Sequence, residues 1–345
     1  MTTGILLTSV SAISMALTII IDRLMVDDFY EDNPKNAWFI SSFLGALFGL
    51  SATALAWLII GEDESWNQLL VLFHTKSIFF ALGMILVGAV VSLNLKIYFD
   101  MLSCHAYTTR VAIAIAATPV FVFACQSFIF GTEWVAAGII SVAITAVALV
   151  GFEALSEAEE KRPECNFNWH LIIFIATSVV YLVVLDWLFF SVETTMSLDG
   201  IQASLIMMPF YWVGYSVGTI SYRDTVVKGF VKKILSRKRF LAIVFVMEII
   251  GASTYFFEFM GISEIDATLV SLVIGVHIAF VWAFDLFISV KYKRSLREGS
   301  DRTRVLLFTL DNGNLTSYNI SFKIFAFQGA LIVLALFGVS LWPNI

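Results

Sequence analysis

The chain has 345 residues, of which 59% are hydrophobic and 14% charged, and its mean hydropathy is +0.88. A soluble domain carries about a quarter charged residues, and a chain this apolar would expose large apolar patches to water, so lipid is the solvent that suits it. The net charge of −6 gives no general attraction to nucleic acid.

A helix crossing the hydrocarbon core needs roughly 20 mostly apolar residues. In chain order the candidates are Ile5–Ile21, Ala37–Ile60, Ser77–Phe99, Val111–Phe130 and Trp134–Phe152. After a polar linker come Leu171–Val192, Ile201–Ile220, Phe240–Phe259, Ala267–Val290 and Ile324–Trp342. Ten transmembrane helices are therefore expected, an all-α membrane protein. Helix is the required form, because backbone facing lipid must satisfy its own hydrogen bonds. A barrel would show short alternating segments, and these runs are continuous. Met1-Thr2-Thr3 offers no Lys or Arg ahead of the first apolar run, so that run reads as a span rather than a cleavable signal. The linker, residues 156–168, is rich in Glu and Lys and carries Pro163. It divides the chain into residues 1–155 and 169–345. Tyr222–Arg239 and Lys291–Lys323 are the other long polar stretches. Cys104, Cys125 and Cys165 form no CxxC pair and read as small apolar residues.

The two halves resemble each other. Phe121 to Ile129 in the fourth span aligns with Phe280 to Ile288 in the ninth, with five of nine positions identical. Phe99-Asp100-Met101 faces Phe257-Glu258-Phe259, and Ile20-Ile21-Asp22-Arg23-Leu24 faces Val184-Leu185-Asp186-Trp187-Leu188. Gly45-x-x-x-Gly49 faces Gly214-x-x-x-Gly218. Such glycine pairs fit close helix contacts, expected here within each half. Five spans per half is an odd number, so the second half must enter the membrane inverted. Inverted repeats are the architecture of many secondary transporters, with the site near the midplane between them.

All but one of the 21 Lys and Arg residues, the exception being Lys76, fall in or beside the loops after the first, third, fifth, seventh and ninth spans. Cytoplasmic loops collect these residues, so both termini are expected outside. The sequons at Asn314 and Asn319 would then face the cytoplasm and carry no glycan.

Charges within a membrane span are costly and default to a functional hypothesis. Glu248 falls near the middle of the eighth span and His277 near the middle of the ninth. Two readings fit this pair: substrate binding or proton coupling, or a buried structural hydrogen bond. Asp22, Lys96, Asp100 and Arg110 fall at the expected cytoplasmic ends of their spans, and Asp186 and Glu258 at the opposite face. They read either as alternating gates or as charges reaching the interface. Gln126 and Asp285 are repeat equivalents. Pro119 loosens the fourth span's hydrogen-bond ladder, as a hinge or as a tolerated kink. The basic stretch Lys228–Arg239 sets orientation or meets anionic lipid headgroups. Zinc spacings, HExxH, GxxxxGK[ST], GxSxG and GxGxxG are all absent. No metal, cofactor or enzymatic activity is expected, and transport would run downhill or be coupled to protons or another ion.

The run Tyr98-Phe99-Asp100-Met101-Leu102, then Ala112 to Ala117, Thr118-Pro119-Val120-Phe121, Phe130-Gly131-Thr132-Glu133 and Gly138-Ile139-Ile140 resembles the EamA domain of the drug/metabolite transporter superfamily. Ile21-Asp22-Arg23 is similar to the end of that family's first helix. The resemblance covers the first half well and the second mainly through the eighth and ninth spans. It implies ten helices in two inverted repeats and a small-molecule cargo such as an amino acid, nucleotide sugar or drug. A lipid-linked flippase shares the fold in related families. The family's usual arrangement has both termini inside, opposite to the charge bias. The resemblance also implies a cavity between the third, fourth, eighth and ninth spans, which Asn94, Tyr98, Thr118, Gln126, Tyr255 and Asp285 would line. The plasma (inner) membrane is the expected location.

Overall fold

Long, mostly apolar runs give the backbone no partner but itself, and they fold as helices. The computed structural model describes residues 2–28, 30, 33–60, 78–103, 115, 118–130, 167–196, 198–236, 238–275, 277–305 and 308–311. Within them lie α1 (Thr2–Asp28), α2 (Pro34–Ile60), α3 (Ile78–Ser103), α4 (Thr118–Phe130), α5 (Phe167–Met196) and α6 (Gly200–Tyr215). A 3₁₀ helix (Ser216–Arg223) follows, then α7 (Thr225–Leu235), α8 (Lys238–Ile262), α9 (Ala267–Gly275) and α10 (His277–Arg297). A short antiparallel hairpin pairs β1 (Arg302–Val305) with β2 (Phe308–Asp311) inside the polar stretch that follows α10.

Five of these helices, α1, α2, α3, α5 and α8, are long and apolar enough to cross a membrane. The chain is a membrane protein. Apolar side chains predominate on these helices and reach their outer faces, as expected where lipid replaces water. Leu58, Phe79, Leu86 and Phe190 point outward from the spans, and Phe128 does so from the shorter α4. The fifth and tenth expected spans, Trp134–Phe152 and Ile324–Trp342, lie outside the described residues, as do both sequons and the linker up to residue 166; α5 begins inside the expected linker, at Phe167.

The seventh expected span, Ile201–Ile220, is helical only to Tyr215 and continues as a 3₁₀ helix. The polar stretch after it contains a helix that charge counting hides. In α7 the residues Val227, Phe230 and Ile234 sit on one face and are buried, while Lys228, Lys232 and Lys233 point away. Asp224 caps this helix by accepting from the Val226 N–H at 3.0 Å.

Helix α1 packs along α8, α3 packs against α5 and α6, and α2 packs against α6, the 3₁₀ helix and α8. Helix α4 touches α5 and α9. Glycines permit the closest approaches. A Cβ on Gly88 would strike the Tyr211 carbonyl, one on Gly214 the Ile85 carbonyl, and one on Gly49 the Trp212 ring. A Cβ on Gly218 would meet Ser42. These contacts correct the expectation that the two glycine pairs serve helices of the same half. They join helices from opposite sides of residues 156–168, because only a residue without a side chain lets α2, α3 and α6 cross at such short range.

Candidate functional site

Four helices each turn one polar stripe inward. The α1 stripe is Met15, Thr18, Ile19 and Asp22, and the α3 stripe is Val91, Asn94, Leu95 and Tyr98. The α5 stripe is Phe174, Ser178, Tyr181 and Leu182, and the α8 stripe is Met247, Glu248, Gly251, Thr254, Tyr255 and Glu258. Spacings of three and four residues keep each stripe on one helical face. Together with Ser41, Thr118, Tyr215, Ser271 and Ile274 they line one central cavity, with about 90 Å³ of room for the centres of water molecules.

Helix α1 runs antiparallel to α8. Ser11 donates to the Thr254 carbonyl at 2.8 Å, Thr8 lies against Gly261, and Thr18 lies nearest Gly251. Continuing that register sets Asp22 level with Glu248 and leaves Glu258 at the far end. Helix α3 runs antiparallel to α5 in the same way, with Leu188 against Gly83 and Asn94 donating to Ser178 at 2.8 Å. The cavity therefore has two tiers.

At one tier, Glu248 accepts from the Ser41 hydroxyl at 2.7 Å and from the Tyr30 hydroxyl. Asp22 accepts from the Tyr98 hydroxyl at 3.1 Å. At the other tier, Glu258 accepts from the Tyr181 hydroxyl at 3.1 Å through one oxygen. Its second oxygen, the Asn94 side-chain carbonyl and the Thr118 hydroxyl have no hydrogen-bond partner among the described residues. All three side chains are buried, Glu258 completely. Tyr215 and Tyr255 stand with ring centroids 5.5 Å apart. Among the described residues the lining includes three carboxylates and no Lys, Arg or His. Arg23, next to Asp22, is buried but directs its guanidinium to the Leu102 carbonyl at the end of α3.

Of the residues singled out from the sequence, Glu248, Asn94, Tyr98, Thr118 and Tyr255 line this cavity. Asp22 and Glu258, expected at opposite membrane faces, line it too, because each sits on an inward stripe rather than beyond the last turn of its helix. The expected pairing of Glu248 with His277 is replaced by other bonds. His277 is buried beside the cavity and its Nδ1 lies 2.6 Å from the Ile274 carbonyl, one turn back, while Glu248 turns to Ser41. Gln126 is likewise outside the cavity. It donates to Asp186 and accepts from the Thr268 hydroxyl and N–H, tying α4 to α5 and α9. Lys96 and Asp100 form a partly exposed pair at 3.8 Å near the end of α3. Pro119 lies within α4, and residues 116 and 117 just ahead of it lie outside the described residues. Arg110 lies outside the described residues, and so does the side chain of Asp285.

Ser41, Tyr30, Ser178, Tyr181, Tyr215 and Ser271 were not anticipated. The signal for Tyr181 and Ser178 was present as a polar pair spaced by three within an apolar helix. Tyr30 and Ser41 carry no comparable signal, since a lone hydroxyl is common in spans. Outside the spans, Lys35 bonds Asp224 at 2.9 Å and holds its carboxyl below the ordinary range. Burial pushes the carboxyl of Asp266 up, although it accepts from the Leu269 N–H at 2.9 Å. Among the described residues no group of three His, Cys, Asp or Glu is arranged to hold a metal ion.

Comparison with protein-family models gives no match for this chain, and comparison with curated proteins gives none either.

Proposed function

We propose that this chain is a secondary transporter or exporter of a small metabolite, working by alternating access, with its substrate site in the central cavity. The observation that carries this reading is a polar chamber enclosed by spanning helices and lined by Asp22, Glu248 and Glu258. A structural core in lipid gains nothing from three buried carboxylates, whose desolvation is expensive. A chamber that must bind and release a polar solute does.

The packing supports the ten-span, inverted-repeat reading and with it the EamA-like class. An exchange of the first, second and third spans with the sixth, seventh and eighth would turn the α1–α8 contact into the α5–α3 contact. It would also turn α2–α8 into α6–α3. Both members of each pair are present. A tyrosine-to-carboxylate bond also joins each of the exchanged helix pairs, with the two roles reversed: Tyr98 on α3 to Asp22 on α1, and Tyr181 on α5 to Glu258 on α8. The loop distribution of Lys and Arg supports both termini outside a plasma membrane. With no nucleotide-binding motif in the chain, an ion gradient, protons included, would supply the driving force.

Reconstitution tests the proposal. Proteoliposomes preloaded with a metabolite mixture and exposed to labelled members of the same mixture report exchange. We expect counterflow for at least one metabolite, lost in a Glu248→Gln protein that still folds. A folded wild-type protein that exchanges none of a broad cationic, neutral and anionic set overturns the reading.

A further inference from the structure

We infer that the cavity selects an elongated alkylamine protonated at both ends, a linear diamine or triamine, one cationic end held by Asp22 and Glu248 and the other by Glu258. This inference rests on the transport reading above and names the class of its substrate.

Four observations converge on it. The first is sign. Among the described residues three buried carboxylates share a lining with no basic side chain, and Arg23, the nearest arginine in sequence, donates to the Leu102 carbonyl. A carboxylate buried without a counter-charge is costly, and a bound cation offsets that cost. The second is hydrogen-bond polarity. The free oxygen of Glu258 and the Asn94 carbonyl are acceptors, both buried, both in the lining and both without a donor among the described residues. A ligand that completes them must donate, and an alkylammonium has three N–H groups with no acceptor. An anion or a carbonyl-rich solute would leave them unpaired.

The third is the aromatic wall. Tyr98, Tyr181, Tyr215 and Tyr255 line the cavity. Tyrosine faces attract cations, an interaction that strengthens when water is excluded. The fourth is length. Glu248 and Glu258 are separated along α8 by about 15 Å, at a rise of ~1.5 Å per residue. Hydrogen bonds of about 2.9 Å at each end leave roughly 9 Å between two ligand nitrogens. That span matches a linear amine with several methylenes between its charged ends, whereas a single cation reaches one pole only. The methylenes would run past Leu95, Leu182 and Ile274. A metal ion is a poor fit, because no three ligating groups among the described residues converge on one point.

The test uses the full-length protein in detergent and in proteoliposomes. Thermal stabilisation and uptake are measured with 1,6-diaminohexane, 1,7-diaminoheptane and spermidine, against n-butylamine, leucine and glutamate. We expect the diamines and triamine to bind at least about tenfold more tightly than the monoamine. In Glu258→Gln the advantage over n-butylamine should vanish. If that variant fails to fold, the chain-length series on the wild-type protein decides alone. Binding or flux confined to leucine or glutamate overturns the amine assignment and leaves the transport reading standing. Amine binding without flux, in vesicles that hold a pH gradient, overturns the transport reading and leaves the site. Equal binding of n-butylamine and the diamines overturns the two-pole geometry.

Discussion

Glu248 accepts its 2.7 Å bond from Ser41, a residue on a different helix, so the carboxylate and α2 are tied together at the cavity wall. Removing the hydroxyl leaves a buried acceptor with one donor fewer. We expect Ser41→Ala to lower stability by about 1–3 kcal/mol, the cost of an unsatisfied buried group, read as a lower melting temperature in detergent. Ser42 is the control in sequence, since its hydroxyl meets Ser92 at 3.0 Å and not the cavity. Ser42→Ala should leave substrate binding unchanged, whereas Ser41→Ala should weaken it. Equal binding by both variants would remove Ser41 from the site. Residues of this kind mark the limit of sequence reading here. Glu248 announced itself as a charge in an apolar run. Ser41 did not, because its significance comes only from the helix that faces it.

Among the helices, the glycine contacts separate positions that look alike in sequence. Gly88 and Gly214 face backbone atoms, the Tyr211 carbonyl and the Ile85 carbonyl, which have no rotamer to move away. Gly229 in α7 has nothing within 4 Å of where a Cβ would stand. Alanine at Gly88 or Gly214 should push α3 and α6 apart and cost on the order of 1–3 kcal/mol or more, as overpacking does. Alanine at Gly229 should stabilise by up to about 1 kcal/mol through helix propensity alone. Melting temperatures of the three variants check both signs. The spacing Gly-x-x-x-Gly was legible in sequence as a close-packing device, and so were most helix positions, because a hydrophobic run of span length has one outcome in lipid. The partner helix was not legible, since any apolar helix satisfies the pattern. The inward stripes were half legible. Asn94 and Tyr98 on α3 have the spacing of Thr18 and Asp22 on α1, but the sequence does not say that the two stripes face one another. Helix α7 was missed because its three lysines outweigh its Val227, Phe230 and Ile234 in a composition window, although the apolar spacing is helical. Its link to α2 is an exposed one. The Lys35 bond holds the Asp224 carboxyl below its ordinary range, so the stability it adds is present above the unfolded carboxyl value and is lost as pH falls through the folded one. The advantage of wild type over Lys35→Met should therefore shrink as pH falls below about 4, measured by the melting difference between the two proteins at pH 6 and pH 3.

For the molecule as a whole, topology and chemistry are coupled. If the two sets of spans are related by inversion, the Asp22–Glu248 tier and the Glu258 tier open to opposite sides of the membrane in turn, and the proposed orientation would say which side is which. Lys228, Lys232 and Lys233 on α7, with Arg294 and Arg297 at the end of α10, lie on the side the charge rule assigns to the cytoplasm. Anionic headgroups on that leaflet favour basic side chains close to the surface. The expected outcome is asymmetric labelling. A cysteine placed at Lys232, in a protein whose Cys104, Cys125 and Cys165 are replaced by alanine, should resist a membrane-impermeant maleimide in intact cells and react after lysis. A cysteine placed near Thr2, at the start of α1, should react in intact cells. The reverse pattern would favour the arrangement implied by the EamA resemblance, with both termini inside, and would exchange the faces to which the two acidic tiers open. The cavity, its three carboxylates and their tyrosine partners would be untouched by that reversal, since the inward stripes that build it are indifferent to which side is out.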